Sequence, residues 1–240
     1  MKENNVYEDY SSIRSQAQLF LELKKRKPFL DKLINKYFPK KRNIKILDAG
    51  CGYGALIYFA QKHGYNNIIG FDISASQIQT SKKFKIKNIY LSSFEKFFKA
   101  KKKFDLIVML DVIEHLQKKK IDSYLNKIQK SLNPDGTIII HTNNAASPFF
   151  GNVRYGDLTH QTAFTENSLE KLLNKNNFKN ILFFEDAPVI YSFISFFRFL
   201  IWSLFRFILN IIMFSETGKY KNFITQNFFC VATKKSIKND

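Results

Sequence analysis

The stretch Ile46–Gly54, ILDAGCGYG, places three glycines, separated by single residues, directly after a short apolar run. A glycine-rich turn between a strand and a helix lets the backbone approach a ligand closely and directs helix N–H groups towards it. Asp72 follows a second apolar run, where an acid can bind the hydroxyls of a ribose. The turn and Asp72 therefore predict a site for an adenosine-type cofactor, and the relaxed dinucleotide fingerprint fits the same glycines.

From residue 44 onwards, short apolar runs alternate with polar segments of helical spacing. The predicted strands are Ile44 to Ala49, Asn67 to Ile73, Asn88 to Leu91, Phe104 to Leu110, Gly136 to Thr142, Asn180 to Asp186 and Asn222 to Lys234. The predicted helices are Ala55 to His63, Ala75 to Phe84, Lys118 to Leu132 and one within Phe164 to Phe178, N-capped by Thr165, with a turn at Asn133 to Gly136. This order predicts an α/β fold with a doubly wound, seven-stranded, mostly parallel sheet.

Composition narrows the function classes. The net charge of +18 comes from lysines in short groups along all 240 residues, so no nucleic-acid partner is expected. Cys51 and Cys230 lack the spacing of a disulfide framework or a metal site. The first residues are polar and basic, which predicts no secretory signal and a cytoplasmic location.

The chain is predicted to have four parts: an N-terminal helical cover (1–43), a core (44–186), a hydrophobic insert (187–221) and a last strand with a tail (222–240). Within the insert, residues 187–214 carry only two charges, Arg198 and Arg206. A single crossing would separate strands six and seven, so we expect a peripheral helix at the inner membrane face, with both arginines at the headgroups and Trp202 at the boundary. A lid over the acceptor pocket or a homodimer interface is the alternative.

Three further features point to one family. Asp48 precedes the first glycine by two residues, LDVIEHL (Leu110–Leu116) follows the fourth strand, and a long excursion separates the last two strands. Together they resemble the class I S-adenosylmethionine-dependent methyltransferases, which implies a Rossmann-like methyltransferase fold and S-adenosylmethionine as cofactor. By that resemblance the cofactor-binding residues are Asp48, Gly50, Cys51, Gly52, Gly54, Asp72, Ile73, Ser92, Ser93, Leu110 and Asp111.

The resemblance also implies roles for single residues. Asp72 would accept hydrogen bonds from the ribose hydroxyls, and Ser92 or Ser93 would contact adenine where the family often has aspartate. Asp111 would lie beside both the cofactor and the methyl acceptor.

Methyl transfer from a sulfonium is mainly a matter of positioning, but a hydroxyl acceptor needs a base. The candidate bases are His115, His141 and His160, of which His141 lies inside a strand and is interpreted as a core or cofactor-edge residue. His160 follows strand five, where the family has acceptor-contacting residues. The predicted catalytic residues are therefore His160, His115 and Asp111.

The spacing of Asp111, Glu114 and His115 resembles that of ubiquinone-type O-methyltransferases, which bind a divalent cation near the acceptor. The Glu-His pair is also widespread as a helix-start feature in this superfamily. We therefore assign no metal from the sequence.

The acceptor is indicated only by looser signals. The Asn/Asp-Pro-Pro-aromatic motif of base-amine methyltransferases is missing after strand four. The segment from Gly156 to Phe178, the Phe-rich insert, SETG and ITQNFFCVA look like bacterial methyltransferases of surface polysaccharide assembly. This likeness implies a small-molecule or glycan acceptor: a hydroxyl of a sugar, nucleotide-sugar or lipid-linked intermediate.

Two other functions remain open. One is an NAD-dependent oxidoreductase on the same fold, which would need a hydride-site pair such as Tyr-x-x-x-Lys that we do not expect here. The other is a non-catalytic protein that keeps the cofactor pocket.

Overall fold

The computed structural model describes residues 16–220 and 223–235. Its strands are β1 Ile46–Ala49, β2 Ile68–Asp72, β3 Ile89–Leu91, β4 Phe104–Leu110, β5 Leu132–Asn143, β6 Phe178–Glu185 and β7 Asn227–Lys234. Its helices are α1 Gln16–Tyr37, α2 Ala55–Lys62, α3 Ala75–Lys83, α4 Phe94–Phe98, α5 Lys118–Ser131, α6 Phe150–Gly156, α7 Glu166–Lys175 and α8 Phe193–Thr217, with a short 3-10 helix at Ile113–His115.

The seven strands form one sheet in the order β3-β2-β1-β4-β5-β7-β6. β7 is antiparallel to both β5 and β6, and the other neighbouring pairs are parallel. All strands except β7 therefore end at one side of the sheet, here called the carboxyl edge (Ala49, Asp72, Leu91, Leu110, Asn143 and Glu185). The predicted seven-stranded α/β fold is confirmed, and in such folds ligands bind at this edge.

Alternate residues along the central strands face two separate cores. Ile138 and Ile140 pack on the face covered by α5 and α7. Ile139 packs on the face covered by α1 and α2, where Leu33 of α1 is fully buried. Because side chains of a strand alternate between faces, neighbouring residues at the carboxyl end of β5 reach different surroundings.

The predicted turn at 133–136 is wrong as a separate element. These residues belong to β5, whose register against β4 jumps from Phe104↔Leu132 to Leu106↔Thr137. Asp135 adopts a φ of 56° inside this irregularity. Asn-Pro-Asp-Gly chemistry is thus accommodated as a bulge between two paired stretches.

Parts of the predicted N-terminal cover, last strand and tail lie outside the residues that the structure describes. Residues 1–15 of the predicted cover, Asn222 of the predicted last strand and residues 236–240 of the tail lie outside the described residues. Within the described residues, α1 supplies the cover. The insert forms one helix, α8, which a Ser192 capping box begins and Gly218 ends with a φ of 67°.

Candidate active site

The glycine turn lies between β1 and α2. Gly50, Gly52 and Gly54 have φ values of 80°, 54° and 86°, in the left-handed region that favours glycine. A Cβ on Gly54 would lie 2.3 Å from Ile89 Cδ1, whereas the nearest atom to a Cβ on Gly52 is Gln77 Oε1 at 3.6 Å. The turn is therefore tightly packed against β3 at Gly54 and open at Gly52, where a ligand can approach the backbone.

Asp72 ends β2 and holds the turn in place. Its Oδ2 accepts a hydrogen bond from the Gly52 N–H at 2.8 Å, and its Oδ1 accepts one from the Ser74 N–H at 2.9 Å. Burial raises the pKa of the carboxyl, although these backbone hydrogen bonds oppose the shift. Each carboxylate oxygen has a second lone pair, so Asp72 can also accept bonds from a ribose.

The predicted residues Ile73, Ser92 and Ser93, together with neighbouring Leu91, lie where β2 and β3 end, and they are of two kinds. Ile73 and Leu91, at the ends of neighbouring strands, are both more than half exposed, which leaves apolar surface for an aromatic base. Ser93 caps α4 by accepting a hydrogen bond from the Lys96 N–H at 3.3 Å, and the Ser92 hydroxyl donates to the Ser93 carbonyl at 3.2 Å. Both hydroxyls thus have local partners, and their contact with adenine stays a prediction.

Cys51 contributes its backbone to the turn. A Cβ on Gly70 would lie 2.7 Å from the Cys51 sulfur, so the thiol packs against β2. Burial raises the pKa of this thiol well above its usual value. Cys51 is therefore a structural residue of the turn and has no thiolate for chemistry.

Asp48 is only 2% exposed at the end of β1. Burial raises the pKa of its carboxyl to about 7, the charge of Arg26 on α1 opposes this shift, and the charge of Asp72 adds to it. A buried carboxyl of this kind is stabilised by a cation beside it, such as the ammonium group of an amino-acid moiety.

We expect the Asp48→Asn variant to have a shallower decline of stability between about pH 4 and pH 7 than the wild type, in the cofactor-free protein. The folded carboxyl has a pKa of about 7, above the value of about 3.9 in an unfolded chain, so its contribution to stability declines from about pH 4 and is gone above about pH 7. Urea unfolding at both ends of this range measures the difference. Asp135→Asn, at a carboxylate that is 72% exposed, is the control and should keep the wild-type slope.

An ion-pair network centred on buried His141 crosses the carboxyl edge between β4 and β6. His141 of β5 contacts Asp111 Oδ1 through Nδ1 at 2.6 Å and Asp186 Oδ2 through Nε2 at 3.3 Å. Burial disfavours the imidazolium, but the charge and hydrogen bond of Asp111, together with Asp186, raise the pKa of His141 to about 10. His141 is therefore a cation at neutral pH and cannot serve as the base.

The same contact fixes the state of Asp111. Burial opposes its ionisation, but the charge and hydrogen bond of His141 outweigh burial and lower the pKa of the Asp111 carboxyl. Its side chain is 44% exposed, and its backbone φ is 55°. Asp111 thus presents a permanent carboxylate at the end of β4, next to Leu110, which is half-buried.

A second group of side chains, the histidine cluster, consists of Glu114, His115 and His160. Their ligand atoms all lie within 4.8 Å of one another, and the two imidazole ring centres are 4.6 Å apart. The backbone carbonyl of Glu114 accepts hydrogen bonds from the N–H groups of Gln161 and Thr162 at 2.8 and 3.0 Å. These bonds hold the loop that carries His160 against the 3-10 helix that carries His115.

Neighbouring hydrogen bonds determine the tautomers of both imidazoles. The Thr159 hydroxyl donates its proton to Asp157 at 2.6 Å, so it must accept from His115 Nδ1 at 2.8 Å. His160 Nδ1 lies 2.9 Å from the Val153 carbonyl oxygen, which can only accept, and 3.2 Å from the Asn143 amide nitrogen. The shorter contact, to the carbonyl oxygen, favours the proton on Nδ1. In the neutral form of each ring, Nδ1 then carries the proton and Nε2 carries the lone pair.

Glu114 is the buried member of the cluster. Its side chain accepts a hydrogen bond from the Thr142 hydroxyl at 2.9 Å. Burial, with the charge of Asp111 as a second cause, raises the pKa of the Glu114 carboxyl to about 8. Burial, aided by His160, also lowers the pKa of His115, which favours its neutral form.

The cluster has the donor chemistry of a divalent-cation site. Two imidazoles and one carboxylate are common ligands of Zn²⁺ and Mn²⁺. Both rings donate their Nδ1–H to oxygen acceptors, as metal-binding histidines usually do. The set differs from the one that the sequence suggested, because Asp111 pairs with His141 and His160 takes its place.

The structure therefore brings the predicted site residues together in two groups. The glycine turn, Asp48 and Asp72 surround one end of the carboxyl edge, and His115 and His160 meet at the other, with Asp111 between them. Sequence reasoning missed Asp186 and Arg26. It interpreted His141 as a core or cofactor-edge residue, which agrees with its burial, but it did not predict the two carboxylates beside it. The signal for His141 was its place near the carboxyl end of a strand that precedes a polar loop.

The oxidoreductase alternative required a Tyr-x-x-x-Lys pair, and our expectation that none is present was wrong. The spacing occurs at Tyr37 with Lys41 and at Tyr58 with Lys62. Lys62 Nζ lies over the Tyr58 ring, 4.4 Å from its centre, and the Tyr37 hydroxyl is buried without a hydrogen-bond partner among the described residues. Neither pair joins an ammonium to a phenol oxygen, so neither forms a hydride-transfer site.

Comparisons with known sequences agree with this geometry. The ubiquinone biosynthesis O-methyltransferase of Pelagibacter ubique is 35% identical over 107 residues, which cover 43% of each chain. The cyclopropane-fatty-acyl-phospholipid synthase of Escherichia coli is 26% identical over 112 residues, 46% of this chain and 29% of that protein. The chain thus spans less than half the length of these curated relatives.

Comparison with solved structures supports the fold. A SAM-dependent methyltransferase from Archaeoglobus fulgidus has a TM-score of 0.67 at 20% identity, covering 92% of this chain and all of that one. Phosphoethanolamine N-methyltransferase 2 of Haemonchus contortus, in complex with S-adenosyl-L-methionine, has a TM-score of 0.57 at 16% identity, covering 87% and 52%. The family model described as a methyltransferase domain matches residues 23–182, more than half of the sequence. The chain therefore belongs to the methyltransferase family, in the class I, S-adenosylmethionine-dependent group that has this seven-stranded fold.

Proposed function

We propose that the protein transfers the methyl group of S-adenosylmethionine to a hydroxyl of a small amphiphilic molecule, such as a lipid-linked sugar intermediate. The observation that carries this proposal is the histidine cluster at the carboxyl edge. It places two imidazoles where the acceptor would meet the cofactor, and a hydroxyl, unlike a free amine, must lose a proton during transfer.

The turn between β1 and α2 would receive the cofactor. Gly52 offers an open backbone to the methionine portion, and Asp72 offers acceptor lone pairs to the ribose. Asp48 would face the ammonium group. Arg26, close enough to influence the pKa values of Asp48 and Asp111, would pair with the carboxylate of the same moiety.

The acceptor would lie between Asp111 and the histidine cluster. In this arrangement Nε2 of His160 would take the proton of the acceptor hydroxyl, and bound S-adenosylmethionine would supply an already activated methyl group to the hydroxyl oxygen. His115, held by Thr159 and Asp157, would orient the acceptor hydroxyl beside it. Asp111 would stay ionised throughout, because His141 is its permanent counter-charge.

The relatives support the chemical class. The Pelagibacter protein is named an O-methyltransferase of ubiquinone biosynthesis, and the Escherichia coli protein is named a synthase of a fatty-acyl phospholipid. Both names refer to molecules with long apolar parts. We infer by analogy an acceptor that joins a polar, hydroxyl-bearing head to an apolar tail.

The proposal is tested by following a labelled methyl group. The full chain is incubated with methyl-labelled S-adenosylmethionine and a lipid extract or an aqueous extract of bacterial cells, and the labelled product is identified by mass spectrometry. We expect label in an ether linkage of a molecule from the lipid extract. Label on nitrogen, or label only in the aqueous extract, would contradict the proposal.

The donor set of the histidine cluster favours a second way to activate the hydroxyl. A divalent cation held by Glu114, His115 and His160 would lower the pKa of a bound hydroxyl as a Lewis acid. Titration calorimetry with Mn²⁺ or Zn²⁺ tests this. Metal binding should be lost in His160→Ala and kept in His63→Ala, because His63 contacts Asp31 of α1 and is not part of the histidine cluster. Turnover that survives a chelator would assign the proton to the imidazole alone.

A further inference from the structure

Helix α8 exposes an unusually large apolar surface. At about 100° per residue, one half of its circumference carries large apolar side chains along its whole length. All of them are more than 40% exposed: Phe193, Ile194, Phe196, Phe197, Leu200, Ile201, Leu204, Phe205, Phe207, Ile208, Ile211, Ile212 and Phe214. At about 1.5 Å per residue the helix is about 37 Å long, and large apolar side chains are exposed along all of it. Soluble monomers rarely expose a continuous apolar patch of more than a few hundred Å².

The opposite half of α8 faces the body of the protein. Ser195 is buried, and Phe199 and Trp202 are half-buried. Arg206 makes an ion pair of 3.0 Å with Glu185, whose side chain is only 7% exposed. The expectation that Arg206 reaches lipid headgroups is therefore wrong, because Arg206 pairs with Glu185 on the side that anchors α8. Trp202, expected at the boundary, is half-buried on the same side.

The length and composition of α8 would suffice to cross a bilayer, and α8 is the one such helix among the residues described. The strands on either side of it exclude a crossing, because β6 and β7 pair directly, with Glu185 opposite Phe228. Both ends of α8 must therefore return to the same side of any membrane. The apolar face can lie along a bilayer surface but cannot pass through it.

Cations border the apolar face. Arg198 is exposed on the line between the anchored and outward halves, three residues after buried Ser195. Beside α8 lies a cavity of about 500 Å³ whose polar lining includes Lys32, Lys36 and Arg206, and whose apolar lining includes Val189, Ile190 and Phe199. Glu185, the acid in this lining, is already paired with Arg206.

We infer that α8 lies flat on an anionic lipid bilayer, with its outward face among the acyl chains and Arg198 and Lys36 at the headgroups. Burial of the apolar face among the acyl chains supplies the free energy of membrane binding. The cations favour a negatively charged bilayer, in keeping with a net charge of +18. The cavity would then open towards the bilayer and admit an anionic amphiphile. The entry of an amphiphile into the cavity rests on the proposed function, whereas the binding of α8 to the bilayer does not.

Co-sedimentation of the full chain with vesicles tests the inference. We expect the wild-type protein to pellet with vesicles of equal parts phosphatidylcholine and phosphatidylglycerol, and less with phosphatidylcholine alone. Ile201→Ser with Leu204→Ser should weaken binding at least about tenfold, because two outward side chains no longer enter the acyl region. Arg198→Ala with Lys36→Ala should reduce the preference for the anionic vesicles.

The matched control is Leu21→Ser with Leu182→Ser, which removes two leucines that are 54% and 56% exposed, against 57% and 61% for Ile201 and Leu204. This control should bind vesicles like the wild type. Equal loss in both double variants would overturn the inference, and so would a wild-type protein that stays in the supernatant and sediments as a dimer. Because no methyl acceptor is present, failure here is separate from failure of the proposed reaction.

Discussion

The His160→Ala variant is expected to turn over about a hundredfold more slowly than the wild type while S-adenosylmethionine binds with unchanged affinity. His160 lies in the loop between α6 and α7, outside the glycine turn, and its Nδ1 contacts the Val153 carbonyl oxygen. Removing the ring removes the lone pair proposed to accept the hydroxyl proton and leaves the cofactor contacts in place. Single-turnover rates and titration calorimetry measure the two effects separately.

Two comparisons make this result specific. His63→Ala removes an imidazole that bonds Asp31 at 2.9 Å, on helices α1 and α2, and should keep wild-type turnover. Added imidazole should restore part of the activity of His160→Ala, which a purely structural loss would not allow. Near wild-type turnover of His160→Ala would remove His160 from the catalytic residues and leave His115 as the candidate base.

The Asp72→Ala variant is expected to bind S-adenosylmethionine more weakly by about 1.5 to 3 kcal/mol, or about ten- to a hundredfold or more. The carboxylate both accepts from the ribose and, through the Gly52 and Ser74 N–H groups, holds the turn that touches the cofactor. The variant should also be less stable, because two backbone donors lose a buried acceptor. Calorimetry and urea unfolding measure the two losses.

Asp105→Ala is the matched control for Asp72→Ala. Its carboxylate likewise accepts from a backbone N–H, that of Lys45 at 2.8 Å, and from the Asn133 amide at 2.7 Å, but it lies near the amino end of β4. We expect this control to lose stability and to keep cofactor affinity. Equal affinity in folded Asp72→Ala and the wild type would contradict the assignment of Asp72 to the ribose.

The sheet and the cofactor turn could be predicted because their determinants are local. Three glycines in one turn indicate a backbone geometry that few other residues allow, and a carboxylate at the end of the next strand is typical of a ribose-binding position. Thr165 predicted the start of α7 for the same reason, since its capping box lies within four residues.

The chemistry of the acceptor end could not be predicted in the same way. His115 and His160 meet through hydrogen bonds of Glu114 with the loop at Gln161 and Thr162, which no spacing in the sequence reveals. The charge of His141 depends on Asp111, brought close by the pairing of β4 with β5, and on Asp186, which directly follows β6. Tertiary structure brings these partners together, so the sequence alone could not predict the charge of His141 or the contact between His115 and His160.

The position of β7 has a consequence for how the molecule is made. β7 follows all the other described strands in the chain, yet it lies between β5 and β6 in the sheet. Until residues 227–234 have been synthesised, β5 lacks its antiparallel neighbour and β6 lacks the strand that joins it to the sheet. The end of β6 that holds Arg206 of α8 through Glu185 is therefore placed only when β7 pairs with it.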